Sequence, residues 1–267
     1  PGNGRFPFLS RVSPSQFRWQ INLLRRLGRF VSLEEIREAR NLATINFAIT
    51  FDGVSSSILS VTPFLESQAI PYAVCASTET TENGQGLIDQ ILAIEEHIPP
   101  ADIRQCVLSH FRFDGSEGVN HFSLSDFYRN SEVDPLAFET CVVDPLFSRV
   151  ARNGGSFGRT YLSWEEIEKQ FVQSPHATIV NHSARRVRMD RLSHLALQKD
   201  VVSSIEKFNN ALGFTPEYYA IPFGRVSQNL ALDLMDVLYD HACKGILWTN
   251  GGGNLIKNPY RTQMIHL

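Results

Sequence analysis

The sequence predicts an α/β fold in which parallel β-strands are covered by α-helices. Short apolar runs typical of buried strands alternate with segments of helical period along most of the 267 residues. Strands that are joined through helices pair in parallel, with the helices packed outside the sheet. The chain contains no internal repeat, linker or low-complexity segment that would mark a second domain. We therefore expect a single domain over residues 1–267, whose sheet is either open or closed into a barrel.

The first half of the chain opens with helix signals. Pro14 follows Ser13, and apolar residues then fall on one helical face until Gly28. Ser32 and Glu35 have the spacing of a capping box, which predicts a second, short helix. The other elements predicted here are a strand at 46–51, a helix at 57–68, a strand at 72–76 and a helix at 87–94.

Residues 111–144 have a different character. This stretch is polar and aromatic with little periodicity, and we predict that it makes long irregular excursions over the surface. Regular alternation then resumes. The predicted elements are a helix capped by Ser163 and Glu166, a strand at 177–181, a long helix from Ser193 to Gly213, a strand at 218–221, a helix at 228–241 and a strand at 245–249.

The overall composition argues against several classes of protein. Lys and Arg number 25 against 28 Asp and Glu, a net charge of −3, which disfavours a protein that binds nucleic acid through its phosphates. No stretch of 18 uncharged apolar residues predicts a membrane span. The four cysteines are widely spaced and form no CxxC pair, so they are interpreted as buried free thiols. No secretory leader pattern opens the chain, which predicts a cytoplasmic location, although the start at Pro1 leaves a removed leader open.

Candidate functional residues follow the predicted strands. In parallel α/β folds, sites form just beyond the carboxyl ends of the strands. Asp52 and Gly53 follow the strand at 46–51, and His182 follows the strand at 177–181. An Asp and a His that converge there can bind a metal ion, act as acid and base, or hydrogen-bond each other. A third group of strand-end residues comprises Pro222, Phe223, Gly224 and Arg225, and a weaker one comprises Asn250 with Gly251, Gly252 and Gly253.

The order of these motifs resembles that of the polysaccharide deacetylases, the NodB-homology or carbohydrate esterase family 4 superfamily. Ile49-Thr50-Phe51-Asp52-Gly53 is similar to the family pattern T-F-D-D-G, and Asn181-His182-Ser183 falls where the family has N-H-[ST]-x-x-H. Tyr219-Ala220-Ile221-Pro222-Phe223-Gly224 follows in the place of Y-P-[FY]-G. The resemblance covers most of the chain except roughly 77–157.

The resemblance implies a distorted (β/α) barrel of the NodB/polysaccharide deacetylase type. It also implies metal-dependent hydrolysis of the N-acyl group, acetyl or formyl, of an amino sugar in surface-polysaccharide metabolism. In that family the first Asp of the pair is the catalytic base, and the second is a metal ligand together with two His. A divalent ion such as zinc polarises the amide carbonyl and acidifies water, and the carboxylate takes the proton.

The sequence departs from the family pattern at two positions. The Asp pair is reduced to Asp52: counting back from Pro63 puts it at the ligand position with Phe51 at the base position, whereas direct matching of Thr-Phe-Asp makes it the base. The second His of the family is Arg186 here, and a guanidinium cannot ligate a metal. A doubly charged ion about 5 Å from it would be repelled by about 6 kcal/mol at an effective dielectric constant of about 20. Asp52 and His182 remain as candidate metal ligands, and we predict weak or absent metal binding.

Other residues were weighed as parts of the site. His110, His121, Asp114 and Glu117 lie in the long excursion and either fold over the site or belong to a solvated loop. The cluster of Arg185, Arg186, Arg188 and Arg191 is either a solvated turn partly neutralised by Asp190 or a surface that recognises a carboxylate or phosphate on a sugar.

Three functional hypotheses follow. The leading one is a carbohydrate deacetylase in which Asp52 and His182 are catalytic and Pro222, Phe223, Gly224, Arg225 and Arg186 contact the substrate. The second is a catalytically inactive relative that keeps the cleft for binding a carbohydrate or a protein partner. The third is a metal-free hydrolase in which Asp52 works with Arg186 as the oxyanion partner.

Overall fold

The structure is a computed structural model that describes residues 12–38, 45–112, 122–154, 158–224, 228–248 and 261–263. Its strands are β1 (Gly28–Phe30), β2 (Ile45–Phe47), β3 (Ile49–Asp52), β4 (Tyr72–Ala76), β5 (Ala177–Asn181), β6 (Tyr218–Ala220), β7 (Gly245–Trp248) and β8 (Arg261–Gln263). Its helices are α1 (Pro14–Leu24), α2 (Leu33–Glu38), α3 (Thr62–Ser67), α4 (Thr78–Asn83), α5 (Leu87–His97), α6 (Pro100–His110), α7 (Leu124–Asn130), α8 (Pro135–Phe138), α9 (Asp144–Arg152), α10 (Trp164–Ile167), α11 (His194–Leu212) and α12 (Gln228–Asp240).

Six strands, β3 to β8, lie side by side in chain order and pair in parallel. Each connection therefore returns over the sheet, and all carboxyl ends meet at one edge. The sheet curls into a half-barrel, which confirms the predicted distorted (β/α) barrel. A separate pair, β1 and β2, is also parallel. Among the described helices, none combines the length and the apolar character needed to cross a bilayer.

Alternation along the strands separates an inner face from an outer face. Leu33 of α2 packs against the inner face of the half-barrel. The buried strand residues on this face are Ala73, Cys75, Val180, Tyr218, Ala220 and Leu247. The outer face carries larger apolar residues that pack under helices, such as Val74 and Ile179 against Phe208 of α11. This two-residue period decides which strand-end side chains enter the site.

The prediction for residues 111–144 was wrong. The described part of this stretch forms α7, α8 and the start of α9, with a π-helical turn at Glu139–Val143 between the last two. The described aromatic residues from Phe122 to Phe138 are buried in one large apolar cluster, where the rings of Tyr128 and Phe138 stack with centroids 5.2 Å apart. The short helices each carry only a few apolar residues, so no periodicity long enough to recognise accumulates in the sequence.

Several other boundaries differ from the predictions. The strand predicted at 46–51 is two strands, since the chain changes partner at Ala48 from β1 to β4. The helix predicted at 57–68 is a 3-10 turn at Ser56–Ser60 followed by α3. Capping, in contrast, follows the sequence: Ser163 and Glu166 form a capping box, and Gly213 ends α11 with a left-handed φ of 77°.

Candidate functional site

Two candidate residues lie at the carboxyl edge of the half-barrel, on its inner face. Asp52 ends β3 opposite Cys75 of β4, and Cys75 lies opposite Val180 of β5. Asp52 and Val180 are thus two strand spacings apart, each of about 4.8 Å. His182 follows Val180 by two residues and so falls on the same face. Asp52 is exposed, and its negative charge acts on the pKa of His182.

Phe51 lies on the opposite face of the strand. Its ring packs on Phe17 of α1 at 6.0 Å and on Tyr72 of β4 at 6.1 Å between centroids. Phe51 therefore points to the helices and not to the cleft. Asp52 is therefore the residue of this pair that faces the cleft.

His182 is held in one orientation. Its side chain is buried, with 1% of the residue exposed, and Nδ1 lies 2.9 Å from the carbonyl oxygen of Ala220. A carbonyl only accepts, so Nδ1 carries the proton and Nε2 has the free lone pair. The pKa of His182 is lowered to about 4, chiefly by burial; the negative charge of Asp52 opposes this shift and the positive charge of Arg186 adds to it. The imidazole is neutral near pH 7.

A buried carboxylate on α11 fixes the loop after β5 by accepting hydrogen bonds from its backbone. Asp200 of α11 accepts hydrogen bonds from the backbone N–H groups of Ala184 and Arg185, at 3.1 and 3.3 Å. Burial raises the pKa of Asp200 to about 6, although the two backbone hydrogen bonds act in the other direction. The sequence analysis missed this residue. The signal was present, because Asp200 falls on the same helical face as Val201 and Ser204 and so had to be buried.

Asn181 and Ser183 complete the loop. The Asn181 amide accepts from the Ser183 N–H at 3.0 Å and donates to the Ser204 hydroxyl at 2.8 Å. Ser183 has a positive φ of 69°, and its hydroxyl accepts from the N–H of Arg186, which itself has a φ of 55°. These bonds direct the Arg186 side chain back across the sheet edge towards β3.

The Arg186 guanidinium lies over the turn after Asp52. Its Nη1 donates to the Tyr161 hydroxyl at 3.0 Å and its Nη2 to the backbone oxygen of Asp52 at 3.4 Å. Tyr161 is buried, and both burial and the nearby carboxylate of Asp89 raise the pKa of its hydroxyl. Gly53, with a φ of +80°, leaves the space that the guanidinium occupies. Nothing in the sequence pattern indicates that Tyr161 and Asp89 belong to this site.

The arginine cluster divides into different environments. Arg185 pairs with Glu79 at 3.3 Å and with Glu139 at 3.6 Å at the surface. Arg188 is 4% exposed, and it pairs with Asp190 and donates to the backbone oxygen of Arg129 at 2.6 Å.

Arg191 has a buried side chain and donates to the backbone oxygen of Tyr128 at 3.0 Å. The neutralisation of the cluster by Asp190 is confirmed for Arg188, but a solvated turn was the wrong interpretation for both Arg188 and Arg191. These two side chains tie the loop to α7.

A turn at Pro222–Gly224 begins two residues after Ala220, the hydrogen-bond partner of His182. Phe223 has a φ of 58° and is 37% exposed, and its ring lies edge-on to Tyr128 with centroids 6.3 Å apart. Pro222 and Gly224 are buried, and the Gly224 carbonyl accepts from the Trp248 indole at 2.8 Å. Arg225, a predicted substrate contact, lies outside the described residues, as do Asn250 and the three glycines after it.

The donor set was tested against a family-type zinc site. Such a site needs three protein ligands and an open position, whereas the cleft offers the Asp52 carboxylate and the His182 Nε2 beside a guanidinium. In the described part of the chain, no three His, Cys, Asp or Glu side chains come together as a metal-binding group. His110 ends α6 with Nδ1 3.0 Å from the Cys106 carbonyl oxygen. His121, Asp114 and Glu117 lie outside the described residues. The described residues of the site do not supply the three ligands of such a zinc ion.

Comparison with known proteins bears on the fold and the family. Residues 149–258 match the family model described as polysaccharide deacetylase. A Streptococcus pyogenes deacetylase, PplD, solved in complex with acetate, superposes with a TM-score of 0.58 at 14% identity, over 96% of this chain and 81% of that one. The fold is that of the polysaccharide deacetylases.

Two further solved structures agree with this assignment. IcaB from Ammonifex degensii gives a TM-score of 0.55 at 15% identity, over 91% of this chain and 79% of that one. The BpsB deacetylase domain from Bordetella bronchiseptica gives 0.55 at 13% identity, over 97% and 86%. No curated protein matches the sequence. The resemblance to polysaccharide deacetylases is confirmed, and at these identities the structural likeness concerns the fold.

Proposed function

We propose that the protein hydrolyses the N-acyl group, acetyl or formyl, of an amino sugar in surface-polysaccharide metabolism. The observation that carries this proposal is the position of Asp52 and neutral His182 on one inner face at the strand ends. The polysaccharide deacetylase match over residues 149–258 supports a carbohydrate as the substrate.

Asp52 supplies a base, and Arg186 supplies a fixed positive charge. Asp52 is the exposed carboxylate that takes a proton from water as the water oxygen bonds to the acyl carbon. The carbonyl oxygen then becomes an oxyanion, and the Arg186 guanidinium stabilises this charge. When the carbon–nitrogen bond breaks, Asp52 returns its proton to the departing amine, and a carboxylic acid and an amino sugar leave. No step is routed through a metal ion, because the donor set does not fit one.

His182 acts in this scheme as an acceptor. With Nδ1–H committed to Ala220, the Nε2 lone pair accepts a hydrogen bond from the attacking water or from a sugar hydroxyl. Its lowered pKa keeps it neutral at physiological pH, so it is not a proton donor there. Its contribution is to orient the reactants.

Phe223 is the proposed contact for the sugar and its acyl group. An exposed aromatic ring beside a polar cleft offers an apolar surface to the sugar ring and to a small acyl chain. Phe223 and Gly224 both have left-handed backbones, and the indole of Trp248 donates a hydrogen bond to the Gly224 carbonyl. This geometry fixes the position of the Phe223 ring.

The test is release of acetate or formate from N-acetylated and N-formylated amino-sugar oligomers, with free amine measured in parallel. We expect equal amounts of acid and amine, at a rate unaffected by a metal chelator. His182→Gln should reduce the rate, whereas His176→Gln, a change of the same kind before β5, should not. Absence of product with every oligomer, both with chelator and with added zinc, would count against the proposal.

A second candidate function is carbohydrate binding without catalysis. The observation favouring it is the Arg186 guanidinium over Gly53, beside the two residues that match the family's metal ligands. In that case calorimetry should detect binding of amino-sugar oligomers without amine release, and Phe223→Ala should weaken it. The two candidates are distinguished by whether product forms at all.

A further inference from the structure

Arg186 is the exception among the four arginines of its loop. Arg185, Arg188 and Arg191 each have a carboxylate partner. In the part of the chain that the structure describes, no ion pair joins Arg186 to a carboxylate, although its guanidinium lies in the cleft. A half-buried positive charge of this kind favours the binding of an anion.

The guanidinium is fixed by neutral groups. Tyr161 and the backbone oxygen of Asp52 accept one hydrogen bond each. Arginine has five N–H donors, so three remain after these two contacts. The side chain is thus immobilised without being neutralised, and most of its hydrogen-bonding capacity is available to a ligand.

The acidic residues nearby are already engaged. Glu79 and Glu139 pair with Arg185, and Asp200 accepts from two backbone N–H groups. Asp89 accepts from the N–H of Gly86 at 3.0 Å. Asp52 is the exposed carboxylate of the cleft, and solvent screens its repulsion of an incoming anion.

We propose that Arg186, held by the Tyr161 hydroxyl and the backbone oxygen of Asp52, forms a carboxylate-binding site in the cleft. The planar guanidinium matches a carboxylate with two parallel hydrogen bonds, which distinguishes it from a point charge. The proposal rests on the proposed function only in placing this ligand beside Asp52 and His182.

A carboxylate ligand for this site could come from two kinds of molecule. The carboxylate is either the acid released by hydrolysis, acetate or formate, or the carboxyl group of a uronic acid within the polysaccharide. In the first case the small acids bind and the uronate does not compete. In the second, the uronate binds more tightly than acetate does.

The experiment is a titration of the purified full chain with ¹³C-acetate, followed by NMR line broadening near pH 7, with competition by formate, glucuronate and, as a neutral control, glucose. We expect saturable broadening that glucose does not relieve. Arg186→Gln should weaken the affinity about tenfold or more, since it removes charged hydrogen bonds. Arg185→Gln is the matched control in the same loop, and it should leave the affinity within about twofold.

Two further variants keep the result interpretable. Arg186→Lys retains the charge but not the fork, and an affinity between those of the unaltered chain and Arg186→Gln supports the proposal. Tyr161→Phe frees the guanidinium and should weaken binding while Arg186 remains. Circular dichroism shows whether each variant is folded. Undiminished binding by folded Arg186→Gln, or equal loss in Arg185→Gln, overturns the proposal. The titration measures binding and needs no turnover. Its outcome therefore does not depend on whether the protein hydrolyses N-acyl groups.

Discussion

A Cβ atom on Gly53 would lie 2.8 Å from Nη1 of Arg186 and 3.0 Å from the ring of Tyr161. These residues come from three distant parts of the chain: the turn after β3, the loop after β5 and the segment before α10. Because Gly53 has no side chain, the guanidinium of Arg186 can lie directly over this turn. The turn and the cation of the cleft are therefore coupled.

Gly53→Ala should separate stability from function. Both Gly53 and Gly213 have left-handed backbones, with φ of +80° and +77°, but an added Cβ at Gly213 meets nothing within 4 Å. We expect each Ala variant to lose about 1–2 kcal/mol of unfolding free energy from backbone strain. Only Gly53→Ala should also weaken acetate binding and acyl release, because it displaces the guanidinium. Urea denaturation and the acetate titration measure the two effects, and full acetate affinity in Gly53→Ala would contradict the coupling.

Sequence patterns predicted most of the sheet. The strand at 72–76 and the strand at 177–181 have the predicted bounds, since continuous apolar runs flanked by breakers are characteristic of buried parallel strands. β8 was missed, because Arg261-Thr262-Gln263 carries no apolar run. The helices from α7 to α9 were missed because each is short, and their stability comes from contacts of residues such as Tyr128 and Phe138 with the rest of the core.

The site was predictable only where it depends on strand ends. Asp52 and His182 follow strands, so the rule for parallel sheets located them before the structure did. The partners of Arg186 could not be found in this way. Tyr161 reaches it through tertiary packing, and no spacing in the sequence relates it to residue 186. The different environments of Arg185 and Arg188 likewise depend on which helices pack over the loop.

Replacement of two neighbouring arginines should have very different effects on stability. Arg188 is buried, and its loss removes the ion-pair partner of the Asp190 carboxylate and the shorter of two hydrogen bonds to the Arg129 carbonyl. We expect Arg188→Ala to lower the unfolding free energy by about 3 kcal/mol. Arg185 is itself exposed and pairs with the half-buried Glu79 and Glu139, so Arg185→Ala should change it by about 1 kcal/mol or less. Equal destabilisation in urea denaturation would show that the packing of this loop is misassigned.

The pH dependence of stability contains two opposing contributions. The pKa of Asp200 is raised from 3.8 to about 6, so the native state holds this proton more tightly and stability falls as pH rises from about 4 to about 6. The pKa of His182 is lowered from 6.5 to about 4, so stability rises with pH over nearly the same window. Each contribution is about 3 kcal/mol, so the two nearly cancel.

Asp200→Asn should reveal the second contribution. Without the titrating carboxylate, the unfolding free energy should increase between about pH 4 and 6.5, whatever its absolute value. Urea denaturation at several pH values measures the slope. Parallel profiles for the unaltered chain and the variant in this window would rule out a raised pKa at Asp200.

Arg186→His should create a better zinc site. The substitution removes a repulsive charge and adds an imidazole to the Asp52 and His182 donors. We expect the variant to retain zinc after dialysis and to compete with a chelator, while the unaltered chain binds the ion weakly. Arg185→His provides the matched control, with no gain expected. A tightly held stoichiometric zinc ion in the unaltered chain would show that a further ligand completes the site.

The most direct test of the central claim is the rate of acyl release by Asp52→Asn. The substitution keeps the size of the side chain but removes its basicity, so the rate should fall by about 100-fold or more while the thermal midpoint stays close to that of the unaltered chain. Asp236→Asn, at an exposed position on α12, should retain the full rate. A folded Asp52→Asn variant that releases acid and amine as fast as the unaltered protein would contradict the assignment of Asp52 as the base.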